Sequence, residues 1–487
     1  MSAGVPPLPF ATALDAAAAV RARRLSAVEL LRLVLERIER LNPALNAIVT
    51  LRAEEALAEA GAADRALASG QETGPLHGVP VTVKDSIAVR GLPTCGGFPA
   101  FADRRPLTDA PCVARLRAAG AIVLGNTNVP TYLADWQSDN PVHGRTSNPW
   151  DLARTPGGSS GGSAAALAAG LGFLSVGSDL AGSIRVPAHF SGVYGHKPTL
   201  GVVPEEGHVP LPPYREPSPS TGLAVLGPMA RSAADLQAAL AVIGGPAGHD
   251  ARAYRWTPPP PRRERLQDYR LGFVLDHPDC PVASDVRRVL EEALEALRRA
   301  GVALVEGFPP GVDAAVERRA YLYLLHGAIG VAGEEEMEAL RARAARGDDA
   351  VGGIRARALT EPHGRHLDAQ SERLHAQEHW ARYFETHDAF LMPTVFTAAF
   401  PHDRRRWSER RLATPEGERA YDDLPFWSMF ASLTGQPATV APVGLTAGGL
   451  PVGLQIMGPY LEDATPIDVA ARLAEVTGGF RPPPGYE

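Results

Sequence analysis

A strand, a helix and a second strand follow one another in the middle of the chain, and this order constrains the fold more than any other feature of the sequence. The segment YRLGFVLD (269–276) predicts a strand. SDVRRVLEEALEALRRAG (284–301) predicts a helix, with Ser284 or Asp285 as its N-cap. VALVEG (302–307) predicts the second strand. Alternation of this kind indicates an α/β fold around a mostly parallel or mixed β-sheet.

Similar patterns run through the rest of the sequence. The N-terminal part predicts helices, of which one begins at Ser26 and stops before Pro43. HGVPVTVKDSI (77–87) predicts a buried strand rich in β-branched residues. PPPPRR (258–263) resembles a linker, but its shortness favours a surface loop within one unit. We therefore predict a single domain over residues 1–487.

Composition excludes several classes of partner. A formal net charge of −7 and a pI near 6.1 give no reason to expect nucleic acid or an anionic membrane as partner. Three cysteines (Cys95, Cys112 and Cys280) are too few and too scattered for a disulfide framework or a zinc site, and they fit a reducing compartment. No segment has the pattern of a signal peptide or of a membrane span. We expect a soluble, cytoplasmic protein.

A run of glycine, serine and alanine, TPGGSSGGSAAALAAG (155–170), admits several interpretations. It lacks the lysine of a phosphate-binding P-loop and does not match the G-x-G-x-x-G pattern of a dinucleotide-binding turn. Gly158 to Gly162 satisfy the G-x-S-x-G pattern of a nucleophile elbow, which is a weak signal in so glycine-rich a segment. A flexible loop that caps the alanine-rich helix at 163–169 is the remaining interpretation.

A second cluster of small residues follows in SVGSDLAGSIRVPAHFSGVYGHKPT (175–199). The backbone N–H groups before Ser183 could converge on one point, as an oxyanion hole requires, although a plain tight turn fits as well. Upstream, Lys84 lies in the apolar strand and is one of only two lysines among 48 basic residues. The arginine bias of the whole chain explains scarce lysine, so scarcity alone gives Lys84 no role.

Taken together, these segments resemble the amidase signature family. The stretches at 157–170 and 177–199 are similar to its serine- and glycine-rich signature, and GVPVTVKD (78–85) is similar to its lysine segment. GNTNVP, GRTSNPWDLARTPGG and GLPVGLQIMGP match in order and spacing. The positions that depart from the usual pattern are Ala181, Ser191 and Asn126. The resemblance covers about 10–245 and 425–475. It implies a central mixed sheet covered by helices on both faces, with a substrate-dependent region at about 250–420.

The resemblance also implies a Ser-cisSer-Lys triad that needs no metal or cofactor. Ser183 is then the nucleophile, Ser159 the bridging serine and Lys84 the base, and the peptide bond entering Ser159 is cis. The implied oxyanion-hole donors are the backbone N–H groups of Leu180, Ala181, Gly182 and Ser183. The resemblance also implies that Ser160 supports the network by hydrogen bonding. We expect Asp179 and Arg185 to pair and brace the nucleophile turn, and we interpret Lys197, which also matches the family pattern, as structural.

Elementary chemistry supports a lysine in the role of base. Lysine accepts a proton only when neutral, so burial must lower its pKa from about 10.4. Arginine cannot substitute, because guanidinium stays protonated in proteins. On a strand, the side chains of Lys84 and Asp85 point to opposite faces, which prevents a close pair that would raise the pKa of the lysine.

Histidines are the competing candidates for the base. Those near the signature segments are His77, His189, His196 and His208. A Ser-His-Asp hydrolase would use Ser160 as its nucleophile, but that interpretation explains fewer residues than the amidase segments do. His375 and His379 have the i, i+4 spacing of metal ligands. Without the glutamate of H-E-x-x-H, a solvated helix face explains this pair better.

Aromatic residues suggest the substrate. Tyr132 and Trp136 are four apart on a predicted helix and hence on one face, which in relatives lines the acyl pocket; ordinary core aromatics are the alternative. LPFWSMFASLTG (424–435) adds Phe426 and Trp427 to an apolar wall. We expect a monomer or homodimer that cleaves an apolar or aromatic amide, anilide or carbamate, as an aryl acylamidase or urethanase does, with esterase activity on the side.

A second function is the glutaminase subunit of a tRNA-dependent amidotransferase, which shares this fold. For that subunit we would expect a Ser-Leu-Asp-Gln run before Gly-Pro. The chain has STGLAVLGP at 220–228 instead, which favours a stand-alone amidase.

Overall fold

The computed structural model describes residues 8–209 and 220–487. The single-domain prediction also includes residues 1–7 and 210–219, which lie outside the described residues. Residues 1–7 also belong to the N-terminal segment in which we find no signal-peptide pattern. The helices are α1 (Ala13–Arg21), α2 (Ala27–Leu45), α3 (Ala53–Ala68), α4 (Pro111–Ala118), α5 (Gly161–Ala168), α6 (Arg185–Ser191), α7 (Ala233–Ile243), α8 (Ser284–Arg299), α9 (Ala314–Ile329), α10 (Glu334–Ala344), α11 (Val351–Thr360), α12 (His363–Phe384), α13 (Phe426–Thr434) and α14 (Ala464–Thr477).

The strands fall into one large sheet and two small hairpins. They are β1 (Ile48–Leu51), β2 (Pro80–Lys84), β3 (Ile122–Thr127), β4 (Asp139–Asn140), β5 (Gly144–Arg145), β6 (Leu174–Asp179), β7 (Tyr194–Lys197), β8 (Val225–Ala230), β9 (Arg270–Phe273), β10 (Ala303–Glu306), β11 (Ala389–Pro393), β12 (Arg411–Thr414), β13 (Gly417–Ala420), β14 (Ala438–Leu445) and β15 (Pro451–Met457). The large sheet has eleven strands in the order β1-β3-β2-β6-β8-β7-β14-β15-β11-β9-β10.

The large sheet is mixed, as predicted. β2 runs parallel to both β3 and β6, and β9 runs parallel to β10 and β11, whereas the remaining pairs are antiparallel. Helices flank it: α5 packs on β2, β3 and β6, α6 on β7, β14 and β15, and α14 on β11, β14 and β15. Strands β9 to β11 come from the region at 250–420 and extend the same sheet as the signature segments.

Helix α8 shows how the sequence pattern becomes packing. Its buried residues are Val286, Val289, Leu290, Ala293, Leu294 and Leu297, which form one apolar stripe at intervals of three and four. Neither predicted N-cap, Ser284 or Asp285, is the cap, since Ala283 holds that position and Ser284 begins the helix. The carboxylate of Glu416 accepts a hydrogen bond from the Ser284 N–H at 3.0 Å, so a distant segment satisfies the helix start.

Helix α2 ends later than predicted. It begins after the Ser26 cap as expected, but it continues past Pro43 to Leu45. Proline in the last turn removes only one backbone hydrogen bond, and the Asn46 N–H closes the helix on the Asn42 carbonyl at 2.6 Å. Asn46 is left-handed, with φ of 50°, a conformation that asparagine tolerates. Asparagine rather than proline therefore ends this helix.

The parallel strands β2 and β6 end side by side, with Val83 opposite Val176. Beyond the end of β6 the second cluster turns into α6, with Ser183 two residues before the helix, whereas Ser159 and Ser160 immediately precede α5, which follows β5. Because the carboxyl ends of parallel strands share one edge of a sheet, Lys84 and the Ser183 turn lie together. The contact of Lys84 with Ser159 adds the first cluster to the same place. No helix within 8–209 or 220–487 combines the length and apolar character that crossing a membrane requires.

Candidate active site

Lys84 is the last residue of β2 and its side chain is completely buried. Its Nζ atom lies 2.6 Å from Ser159 Oγ, 2.9 Å from Ser178 Oγ and 3.4 Å from the Ser178 carbonyl oxygen. Burial lowers the pKa of Lys84 to about 7, and the opposing charge of Asp179 limits the fall. The side chain therefore combines a hydroxyl contact with an accessible neutral state.

Asp85 points away from Lys84, as the strand geometry predicts. Its carboxylate accepts hydrogen bonds from the Cys95 backbone N–H at 3.0 Å and the Cys95 thiol at 2.9 Å. His143 Nε2 lies 3.5 Å from the same carboxylate. Carboxylate, thiol and imidazole atoms thus lie within 4.8 Å of one another, as metal ligands would, but the hydrogen bonds among them already account for the arrangement.

The serine pair lies between Lys84 and the second cluster. The Gly158–Ser159 peptide bond is cis, as the resemblance implies. A Cβ atom at position 158 would come within 2.3 Å of the Asp135 carbonyl oxygen, so glycine is required there. The Ser160 N–H donates to the Ser183 carbonyl at 3.0 Å, and its hydroxyl lies 3.3 Å from the Ser178 carbonyl. Ser160 therefore joins the two clusters.

Asp179 holds the turn that carries Ser183. Its carboxylate accepts hydrogen bonds from the backbone N–H groups of Gly182 and Ile184 and from the Arg185 guanidinium, at 2.8 to 3.1 Å. Burial opposes ionisation of Asp179, but the charge and hydrogen bonds of Arg185 outweigh it and hold the pKa near 2. The predicted pair is thus formed, and both side chains are completely buried.

This arrangement changes the predicted set of oxyanion-hole donors. The Gly182 N–H donates to Asp179 and is not available to a substrate. Among the described residues, none accepts a hydrogen bond from the N–H groups of Ala181 or Ser183. Tyr321 donates to the Leu180 carbonyl at 3.2 Å, which fixes the peptide group that carries the Ala181 N–H. A side chain at Gly182 would be strained, because φ is 91°.

A cavity of about 360 Å³ opens above these residues. Ser159 and Ser183 both line it. The rest of its lining is mainly apolar: Tyr132, Leu133, Ala134, Trp136, Leu180, Ala181, Ala224, Leu325, Ile329, Val331 and Trp407. Its carboxylates are already paired, Asp135 with Arg410 at 2.6 Å and Asp179 with Arg185. Such a lining suits an apolar ligand.

The predicted substrate residues divide into two pairs. Tyr132 and Trp136 both line the cavity, but the predicted helix is wrong. Thr131–Leu133 is a single 3-10 turn in which Tyr132 and Leu133 have positive φ of 57° and 62°, so no α-helix joins Tyr132 to Trp136. The Trp136 indole donates to the Ala181 carbonyl at 3.1 Å, which ties the cavity wall to the Ser183 turn.

Phe426 and Trp427 do not line the cavity, so the predicted apolar wall is wrong in its position. Both lie on α13 and are buried in the core. Phe426 packs against His277 and Phe430 with ring centroids 5.2 and 5.9 Å apart. An apolar helix predicts burial, but its sequence does not tell which neighbour covers it.

Several cavity residues carry no signal in the sequence that marks them as facing a site. Leu325, His326 and Ile329 come from α9, in the region expected to vary with substrate, and Trp407 comes from an arginine-rich run. His208 is one of the four histidines near the signature segments. Its Nε2 lies 3.1 Å from Ser178 Oγ, and burial and the charge of Lys84 lower its pKa to about 3.

The other predicted alternatives lie elsewhere. His189 bonds to backbone groups of Gly453 and Thr397, and His196 to Thr439 and Asp463. Lys197 Nζ donates to the Pro198 carbonyl at 3.0 Å. Lys197 is not among the described residues that line the cavity.

Comparison with known proteins gives one consistent family. The Amidase family model matches residues 29–466. An indoleacetamide hydrolase from Bradyrhizobium diazoefficiens is 34% identical, over 96% of this chain and 86% of that protein. A glutamyl-tRNA(Gln) amidotransferase subunit from Thermus thermophilus is 36% identical, over 94% of this chain and 96% of that protein. The structure of a 6-aminohexanoate cyclic dimer hydrolase complexed with substrate has a TM-score of 0.79 at 26% identity, covering 98% of this chain and 100% of that chain. With its family model, relatives and fold in agreement, the chain belongs to the amidase family.

Proposed function

We propose that the protein hydrolyses carboxamide C–N bonds with Ser183 as nucleophile, Ser159 as proton bridge and Lys84 as base. The observation that carries the proposal is the 2.6 Å contact between Lys84 Nζ and Ser159 Oγ, at a cavity that Ser183 also lines. A serine hydroxyl attacks a carbonyl only when a base takes its proton. With a pKa near 7, Lys84 is neutral often enough at physiological pH to fill that role.

The proposed cycle uses the proton relay in both directions. Ser183 Oγ attacks the amide carbonyl while its proton passes to Ser159 and the Ser159 proton passes to Lys84. The tetrahedral intermediate then collapses, and the proton returns through Ser159 to the leaving nitrogen, so an amine departs and an acyl ester remains on Ser183. Water then attacks the ester carbonyl while one of its protons passes through Ser159 to Lys84. The proton returns through Ser159 to Ser183 Oγ as the ester C–O bond breaks, which releases the carboxylic acid and restores both serines.

The Ser183 turn supplies the charge stabilisation that the intermediate needs. Backbone N–H groups directed at a developing oxyanion lower the barrier most when they are fixed in advance. We assign the N–H groups of Ala181 and Ser183 to this role, together with that of Leu180. Asp179 is assigned to hold the turn through Gly182 and Ile184.

The cavity lining supports an apolar or aromatic acyl group. Trp136, Trp407 and Leu325 offer ring and aliphatic surface, and both lining carboxylates are already paired. The indoleacetamide hydrolase among the relatives is named for an aromatic amide. We therefore assign aryl or arylalkyl amides and anilides as substrates, with carbamates and esters as slower ones, and retain one domain, a monomer or homodimer and a cytoplasmic location as predictions.

The amidotransferase relative makes the glutaminase subunit the second candidate. Glutamine carries an ammonium and a carboxylate that a specific site must pair with charged groups. Among the described cavity residues there is neither arginine nor lysine, and Asp135 and Asp179 already bind arginines. The cavity thus favours the stand-alone amidase.

Turnover of a small panel tests the proposal. Wild type, Ser183→Ala and Ser191→Ala are each assayed with five substrates: phenylacetamide, acetanilide, a phenyl carbamate, acetamide and glutamine. Ser191 is a matched control, because it is a buried serine of the same segment whose hydroxyl, among the described residues, makes only a 3.4 Å contact with the Pro156 carbonyl. We expect turnover of the aromatic amides that Ser183→Ala abolishes and Ser191→Ala retains. Retained turnover in Ser183→Ala would refute the nucleophile, and a preference for glutamine would refute the substrate class.

A further inference from the structure

Lys84 has a second hydroxyl partner that the proposed cycle does not use. Ser178 Oγ lies 2.9 Å from Lys84 Nζ, on the neighbouring strand β6. On its other side, Ser178 Oγ lies 3.1 Å from His208 Nε2. The contacts therefore form a chain from His208 through Ser178 to Lys84 and on to Ser159.

We propose that His208 is a positioning residue for the amide hydrolysis: by accepting a hydrogen bond from the Ser178 hydroxyl, it directs the lone pair of Lys84 at Ser159. The inference rests on the proposed function, because it concerns the same base. His208 also lines the cavity, but its assigned contact is with Ser178 and not with substrate.

Counting protons and lone pairs gives the reason. A neutral lysine amine has two N–H groups and one lone pair. To receive the Ser159 proton, the lone pair must face Ser159, so the two N–H groups donate to the oxygens of Ser178, at 2.9 Å to the hydroxyl and 3.4 Å to the carbonyl. Ser178 Oγ accepts a hydrogen bond from Lys84 only if its own hydroxyl proton is directed at another acceptor. His208 Nε2, at 3.1 Å, is that acceptor.

Without that acceptor the Ser178 hydroxyl has another choice. It can donate to the lone pair of Lys84 and so compete with Ser159 for the base. His208 accepts only in its neutral form with the proton on Nδ1. Burial and the neighbouring Lys84 charge lower its pKa to about 3, so the neutral form prevails at physiological pH.

A second histidine of the same cavity provides a matched control. His326 lines the cavity, and its Nε2 has no hydrogen-bond partner among the described residues. It is absent from the contacts that join Lys84, Ser178 and Ser159. Replacing His326 therefore alters the cavity without altering the direction of the proton chain.

The experiment is a double-mutant cycle read as kcat and KM on the preferred aromatic amide. His208→Ala is expected to lower kcat by at least about tenfold with KM changed less than about threefold, as for loss of one hydrogen bond that orients the base. Ser178→Ala removes the competing hydroxyl as well as the bridge, so adding His208→Ala to it should cost no further kcat. His208→Gln, whose carbonyl accepts a hydrogen bond, should restore most of the rate, whereas His326→Ala should act mainly on KM.

Two results would overturn the inference. One is a kcat of His208→Ala within twofold of wild type; the other is an undiminished His208 effect in the Ser178→Ala background. Circular dichroism and thermal melts establish whether each variant folds. If His208→Ala does not fold, Ser178→Ala and His208→Gln still test the inference. A failure of the proposed function looks different, because Ser183→Ala would then remain active.

Discussion

The two lysines of this chain occupy similar environments and differ in what they touch. Lys84 ends β2 and Lys197 ends β7, and both side chains are buried. Burial lowers the pKa of each to about 7, and Asp179 opposes the fall in both cases. Lys84 contacts two serine hydroxyls, whereas Lys197 donates to the Pro198 carbonyl, which has no proton to give. A lowered pKa alone therefore does not distinguish the two lysines, whereas a hydroxyl within hydrogen-bond distance does.

The largest effect separates the two lysines directly. Lys84→Arg keeps a positive charge that cannot be lost, so kcat should fall by at least about 10³-fold, within the range that general-base catalysis contributes. Lys197→Met should leave kcat within about threefold of wild type. Steady-state kinetics on the preferred aromatic amide check both, with thermal melts as the folding control. Equal losses in the two variants would break the distinction.

The pH profile sharpens the same comparison. A lysine base is active when neutral, so kcat/KM should fall about tenfold per pH unit as the pH drops below the Lys84 pKa of about 7. Asp179, with a pKa near 2, stays ionised throughout and adds no step. Lys197→Met should retain the acid limb. If the acid limb disappears in Lys197→Met, the limb reports the titration of Lys197 and not that of Lys84.

The cavity gives a third difference, since Lys84 contacts Ser159 and Ser178, which line the cavity, whereas Lys197 contacts Pro198, which is not among the described lining residues. Trp136→Ala removes ring surface and the hydrogen bond to the Ala181 carbonyl, so KM for the aromatic amide should rise about tenfold. Phe426→Ala serves as the control, because Phe426 lies in the core and should affect the melting temperature more than KM. A larger KM change in Phe426→Ala would restore the predicted apolar wall.

The smallest effect concerns stability. Because the Lys197 pKa falls from 10.5 unfolded to about 7 folded, the unfolded chain binds more protons between these values, and wild-type stability rises with pH across that window. Lys197→Met removes this contribution. It should stabilise the fold by about 1–3 kcal/mol at pH 7 and by less at pH 10. Urea unfolding at the two pH values measures the difference, and a loss of stability at pH 7 would contradict it.

Local patterns predicted much of the fold. The buried strand around Lys84 and the strand–helix–strand order of β9, α8 and β10 are both present. Helix ends were less predictable, because Asn46 and Glu416 act through backbone conformation and a distant contact. Such contacts leave no local pattern.

The site was predictable to the extent that the family resemblance reached. The Lys84–Ser159 contact spans 75 residues of sequence, and no spacing rule brings the two together. The sequence offers His208 only as one of four competing bases, and the folded chain shows its contact with Ser178. The α9 side chains lie outside the matched motifs, so only the folded chain shows them near the site. The predicted oxyanion hole includes the Gly182 N–H, because the motif alone does not show that Asp179 accepts it.

The central claim is that Ser183, activated through Ser159 by Lys84, is the nucleophile. The most direct measurement treats the protein with a fluorophosphonate at pH 8 and maps the modified peptide by mass spectrometry. We predict one adduct, on Ser183, that forms at least about 10²-fold more slowly in Lys84→Arg and at an unchanged rate in Lys197→Met. An adduct on Ser159 or Ser160, or labelling that Lys84→Arg leaves unchanged, would contradict the account.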